Sequence, residues 1–287
     1  MNTRDIFWIH PTSSRRHALG FALALGGAAQ ATAQDVTPDF GSTVGGSGWV
    51  TDRYAPQSFN LLTAHGRTNV MSFAIVSGGN YANRPAAYQS TFYDTQGMKY
   101  ALSQAGSYSL TADLWVDASW ASNATGSNNS RRTDMWGVAV DGSNAAYDYP
   151  IIGFTNSGGT GLFRGYDVNT GAWNNFASTV NYDAWNTLRI DYSSTTKLYS
   201  YSVNGSVAGT VLGDGVAQGI GAVIMQGYNF NDPTREGDPS VIENGSTDYH
   251  NFWSNTEVVA TPEPASLVLL ATGLVGVAGF VRRRRKA

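Results

Sequence analysis

Hydrophobic and polar positions alternate along the middle of this chain with the two-residue period of strands that bury one face. Tyr108-Ser-Leu110-Thr-Ala112-Asp-Leu114-Trp-Val116 is one such stretch. In Trp185-Asn-Thr-Leu188-Arg-Ile190-Asp-Tyr192, Leu188, Ile190 and Tyr192 are set against Arg189 and Asp191. Asn69–Val76, Met135–Val140, Leu198–Val203, Val207–Leu212 and Asp248–Val259 are further predicted strands. Asn204-Gly205 is the dipeptide of a two-residue hairpin turn between two of them. Ile220–Met225 is apolar almost throughout and predicts a central strand. Between residues 34 and 260 no stretch sustains a helical period, and no repeat of fixed length is present. Short strands separated by Gly, Asn and Ser turns predict an all-β fold, a sandwich or a barrel.

Both ends break this pattern. Arg4, Arg15 and Arg16 precede an apolar run from Ala18 to Ala29, and Ala31-Thr32-Ala33 follows as a small-x-small site. This order predicts a signal peptide over residues 1–33, removed by signal peptidase after Ala33. Twelve residues make about 18 Å of helix, too short for a bilayer core of about 30 Å. Ser14-Arg15-Arg16-His17-Ala18-Leu19 partly resembles a twin-arginine signal, with Ala18 where Phe is usual, so the general and twin-arginine export routes both stay open. Near the other end, residues 265–281 form an uncharged, mainly apolar run of 17 residues, and Arg282, Arg283, Arg284, Arg285 and Lys286 follow it. The run makes about 25 Å of helix, enough for a transmembrane helix if the arginines snorkel. The charges assign that end to the cytoplasm. Pro262-Glu263-Pro264 gives the helix a sharp start.

Thr261-Pro262-Glu263-Pro264-Ala265-Ser266, the single apolar run and the Arg-rich tail together resemble the PEP-CTERM sorting signal of Gram-negative bacteria. The resemblance covers residues 261–287. It implies that an exosortase in the inner membrane removes the segment, so that contact with that membrane is transient. It also implies that residues 34–260 travel as an ectodomain to the cell surface or the exopolysaccharide matrix of a biofilm.

Charge looks different once the ends are set apart. The chain has 18 basic and 21 acidic residues, but residues 34–261 hold 10 basic and 19 acidic. A body this acidic repels a phosphate backbone, which excludes nucleic acid as a partner. With no Cys there is no disulfide frame, thiolate metal site or Cys nucleophile.

A second, looser resemblance covers residues 107–256. The strand with Trp185, Leu188, Ile190 and Tyr192, the Tyr-rich strand and Asn-Gly turn after it, and the late Tyr249-His250-Asn251-Phe252 run look like laminin-G and concanavalin A-like jelly rolls. His250 stands where those families often have Asp. The resemblance implies a jelly-roll β-sandwich that binds glycan or protein, often beside calcium.

Motifs for catalysis are missing. The four Glu residues form no Glu-x-Asp-x-Glu pattern. Asp113 and Asp117 lie four apart on one strand, about 13 Å, too far for a retaining glycosidase pair, and are expected as solvated strand-face charges. His65 and His250 lie in no nucleophile elbow and are expected as surface or structural residues. The Gln-x-His and Tyr-x-Lys-x-Gly strand motifs of jelly-roll polysaccharide lyases are absent. No cofactor is certain. Calcium is the one candidate, with oxygen donors at Asp141, Asn144, Asn229, Asn231 and Asp232, although an Asx turn accounts for both stretches. Flat aromatic rings stack on the apolar faces of sugars. Trp115, Trp120, Trp136, Tyr147, Tyr149, Tyr166 and Trp173 fall in a segment rich in Asn, Asp and Gly. Trp120, Tyr147, Tyr149 and Trp173, expected in loops, are the candidate ligand contacts. The sequence therefore reads as an exported, noncatalytic protein that binds glycan or structures exopolysaccharide. The alternatives are an adhesive protein without a small ligand and a divergent glycoside hydrolase or polysaccharide lyase.

Overall fold

The computed structural model describes residues 33–35, 48–79, 83–123, 130–229 and 248–261, all in the larger of the chain's two compact units, Ala31–Ala287. Numbered along the chain, the strands are β1 (Ala33–Asp35), β2 (Trp49–Arg53), β3 (Ser58–Ala64), β4 (Arg67–Ile75), β5 (Thr95–Ala105), β6 (Tyr108–Val116), β7 (Arg132–Val140), β8 (Ala146–Asp148), β9 (Ile151–Thr155), β10 (Leu162–Asp167), β11 (Ala172–Asn175), β12 (Ala184–Ser193), β13 (Leu198–Val203), β14 (Ser206–Leu212), β15 (Gly219–Tyr228) and β16 (Tyr249–Ala260). They form a sandwich of two antiparallel sheets. The first runs β14-β13-β12-β6-β16-β4-β3, with β1 added to β16; the second runs β11-β10-β9-β7-β15-β5-β2, with β8 added to β7.

The strongly alternating stretches became β6, β12, β13, β14 and β16 to within one residue. Ile220–Met225 became β15, which is flanked by β5 and β7. Asn204 and Gly205 have φ of 50° and 81°, the left-handed pair that a two-residue hairpin needs. The predicted signal cleavage falls at the first residue of β1, whose backbone pairs Ala33 with Val259. Ala31, Pro262 to Pro264, the run at 265–281 predicted to span the membrane, Arg282 to Arg285, Asn231 and Asp232 lie outside the described residues. Among the described residues, no helix is long and apolar enough to cross a membrane.

The inner faces meet in one core. Tyr108, Leu110, Leu114, Ile190, Tyr199, Tyr201 and Trp253 come from the first sheet, and Trp49, Met135, Ile152, Phe154 and Phe163 from the second. Buried hydroxyls and indoles need partners. The Tyr249 hydroxyl on β16 accepts from the Tyr228 N–H at 3.0 Å and lies 2.9 and 2.8 Å from the carbonyls of Arg132 and Tyr228, tying the sheets together. Trp253 Nε1 donates to Thr133 Oγ1 across the same interface.

Asp113 departs from expectation. It is buried rather than solvated, because Arg67, Thr187 and Asn255 all donate to its carboxylate at 2.6 to 2.8 Å. Asp117 instead accepts from the Ser119 N–H at the start of a short 3-10 turn, Ala118–Trp120.

Candidate functional site

The outer face of the second sheet is not a polar solvent face. On β7, Met135 and Ala139 point to the core, so the alternate residues Asp134, Trp136 and Val138 face outward. Val138, Ala222 and Ile224 form a second buried cluster there, with Trp136 packed against it. The sheet and its loops enclose a cleft of about 650 Å3 on this face, lined by residues of β2, β5, β7, β9, β10, β11 and β15.

Aromatic rings and guanidinium groups share its walls. Tyr166 and Trp173 are cross-strand partners with ring centroids 5.3 Å apart. Tyr149 meets Trp136 edge-on at 6.0 Å. Arg53 lies 4.6 Å over Trp136 and 4.7 Å over Phe92. Arg132 and Arg164 lie 4.7 and 4.0 Å from the Trp173 ring centre. Arg132 Nε pairs with Asp134 Oδ2 at 2.7 Å, and Arg53 Nη1 donates to Gln226 Oε1 at 3.1 Å. Asp52 and Arg53 form an ion pair at 3.7 Å, too long for a hydrogen bond. Burial moves these groups toward their neutral forms. It raises the Asp52 carboxyl and lowers the Arg53 guanidinium. Burial, and then the charge of Arg132, pushes Arg164 down to about 9.

Two of the four sequence-predicted contact residues, Tyr149 and Trp173, line this cleft. Tyr147 is exposed on β8 and is not part of the lining. Trp120 is a correction: it is buried at 5% exposure, packed on Phe154 and Tyr249, because the 3-10 turn folds it into the core. Trp173 lies on a strand, β11, rather than in a loop. Asp52, Arg53, Arg132, Arg164 and Gln226 were not singled out from sequence. The available signal was Arg132-x-Asp134-x-Trp136, a polar row opposite an apolar one on a strand at the centre of a sheet.

Asp141 Oδ1 accepts from Ser143 N–H, Ser143 Oγ and the Ala145 N–H at 2.7 to 2.9 Å, forming an Asx turn whose Asn144 reaches the cleft rim. Asn229 is buried and donates to the Val76 carbonyl. Among the described residues, no three His, Cys, Asp or Glu side chains form a group able to hold a metal ion. His65 and His250 both pack against rings. His65 stacks on Trp115 at 4.0 Å, and its pKa is lowered by burial; His250 stacks on Phe252 at 6.0 Å.

Several solved structures are similar to the chain. A sialidase matches with a TM-score of 0.47 at 11% identity, over 81% of this chain and 18% of its own. The Bacillus licheniformis β-glucanase matches at 0.43 and 13% identity, over 82% of this chain and all of its own. An endo-β-1,4-glucuronan lyase from the fungus Trichoderma reesei matches at 0.44 and 11% identity, over 75% and 92%. Scores of this size carry no statement about ligand or activity, and the chain spans under a fifth of the sialidase. No curated protein matches the chain. The family model of the PEP-CTERM protein-sorting motif matches residues 260–286, the segment that implies processing by an exosortase. The chain thus carries a PEP-CTERM sorting motif at residues 260–286 and is a protein exported across the inner membrane and sorted to the cell surface or extracellular space.

Proposed function

We propose that the body is a jelly-roll module, concanavalin A-like or laminin-G-like, that binds a glycan of the surface or matrix in the cleft of the second sheet without cleaving it. The cleft itself carries the reading: Trp136, Tyr149, Tyr166 and Trp173 offer ring faces and edges beside charged and amide side chains, the combination that takes a sugar. Binding is favoured over hydrolysis by the placement of the two carboxylates that this face carries among the described residues. Asp52 and Asp134 stand three strands apart, about 14 Å at 4.8 Å per strand. Both glycosidase geometries need closer pairs.

The test is a polysaccharide panel titrated onto the purified protein, with and without calcium, while new chain ends are assayed. Saturable binding that leaves the polymer intact supports the reading. Loss of that binding on chelation would add calcium at the Asp141–Asn144 turn. Chain cleavage abolished by Asp134→Asn overturns the noncatalytic part. A folded protein that binds no glycan favours a purely adhesive role.

A further inference from the structure

One row of cross-strand neighbours crosses the outer face of the second sheet: Asp52, Gly97, Gln226, Asp134, Gly153 and Arg164. The two glycines make room for it. A Cβ on Gly97 would collide with the Met225 carbonyl and Gln226, and one on Gly153 with the Thr133 carbonyl and the Asp134 carboxylate. Each of the four polar members has a buried atom without a hydrogen-bond partner among the described residues: Asp52 Oδ2, Gln226 Nε2, Asp134 Oδ1 and Arg164 Nε. Trp136 Nε1, on the adjacent row, is a fifth. Asp134 and Gln226 are only 1% exposed. Buried polar atoms almost always have partners, so five orphans on one patch mark a place where a ligand supplies them. Three are donors and two are acceptors. A hydroxyl-rich ligand satisfies both kinds.

Charge narrows the class. Arg53, Lys99, Arg132 and Arg164 stand on this face against Asp52 and Asp134. Among the described residues, this face thus carries four cations against two acids. In an acidic body, the described lining of this aromatic-walled cleft sets Arg53, Lys99 and Arg132 against Asp52, and a low-dielectric wall strengthens their field. Arg132 and Arg164 share the Trp173 ring, yet Arg132 alone holds Asp134 in an ion pair. Among the described residues, Arg164 forms no ion pair.

We propose that the cleft selects a carboxylated saccharide, a polymer containing uronic acid, whose carboxylate pairs with Arg164 beside Trp173 while its hydroxyls meet Gln226, Trp136 and Asp134. This rests on the glycan-binding reading. Guanidinium and carboxylate match as a two-point fork, and the match is strongest where water is excluded.

The experiment compares three probes by titration calorimetry on the purified protein: uronic-acid oligomers, the same oligomers with every carboxyl reduced to the neutral sugar, and polyglutamate. The uronate oligomer is expected to bind about ten-fold or more tightly than its reduced form, with the advantage shrinking as salt rises. Arg164→Gln should bring the two affinities within about threefold of each other. If that variant misfolds by circular dichroism, Lys99→Gln on the cleft wall should still narrow the gap. Equal affinity for both oligomers overturns the proposal and leaves the glycan reading standing. Binding of neither removes both. Polyglutamate binding as tightly as the uronate overturns the saccharide assignment.

Discussion

Alkali is expected to unfold this protein cooperatively, and the reason is four tyrosines. Tyr108, Tyr199, Tyr201 and Tyr249 are buried at 5% exposure or less, and burial raises the pKa of each hydroxyl well above the ordinary value. Neighbouring Asp148 pushes Tyr199 in the same direction. In the unfolded chain all four titrate near pH 10. Above that pH the folded state therefore holds more protons than the unfolded one, and stability falls as pH rises. Their contribution is fully present below pH 10 and is lost as the pH climbs toward the folded-state values. At pH 11, ionisation stabilises the unfolded chain by about 1.4 kcal/mol per tyrosine, or about 6 kcal/mol for four. That is comparable to the whole stability of an ordinary domain, about 5–15 kcal/mol. Tyrosinate absorbance and the sheet signal in circular dichroism, followed on one sample, should show these tyrosines ionising in step with loss of the sheets. Tyr249→Phe should make the transition shallower by one proton. It should also lower neutral stability by about 1–3 kcal/mol, because the buried Tyr228 N–H loses its acceptor. Independent ionisation of the four near pH 10, with both sheets intact, would refute the reasoning.

Other consequences follow from the same packing. Arg84 and Asp94 form a fully buried ion pair at 3.3 Å, so Arg84→Met should cost about 3–5 kcal/mol in urea unfolding by removing the cation that offsets a buried carboxylate; an unchanged midpoint would contradict this. Trp120→Ala removes a core ring and should cost about 3–5 kcal/mol. Glycan affinity of the folded fraction, measured in the same preparation, should stay within about twofold, since this ring is no part of the cleft. Gly153→Ala drives a Cβ into the Thr133 carbonyl and the Asp134 side chain. It should destabilise by about 1–3 kcal/mol and weaken glycan binding together, and a stable variant with full affinity would remove the polar row from the site.

What the chain alone determined is local. The period-two pattern of β6, β12 and β13 follows from which side chains leave water, and alternate residues of a strand must take opposite faces. The Asn204-Gly205 turn is equally local, because both residues must adopt positive φ. The sorting motif is read as a linear string, so 27 consecutive residues were enough to assign the destination. Weakly patterned strands such as β10 and β11 escaped notice because Gly165 and a cluster of Asn residues blur their alternation. The cleft is another matter. The polar row of Asp52, Gln226, Asp134 and Arg164 on the same sheet face draws on residues from 52 to 226 and exists only after β2, β5, β15, β7, β9 and β10 align in register. Trp120 and Trp173 look alike as isolated tryptophans near turns. One was drawn into the core by a 3-10 turn and the other was left in the cleft as the partner of Tyr166. Sequence alone says which faces of a strand differ. Which face meets the other sheet, and which is left to meet a ligand, depends on how the two sheets close, and only the tertiary structure decided that.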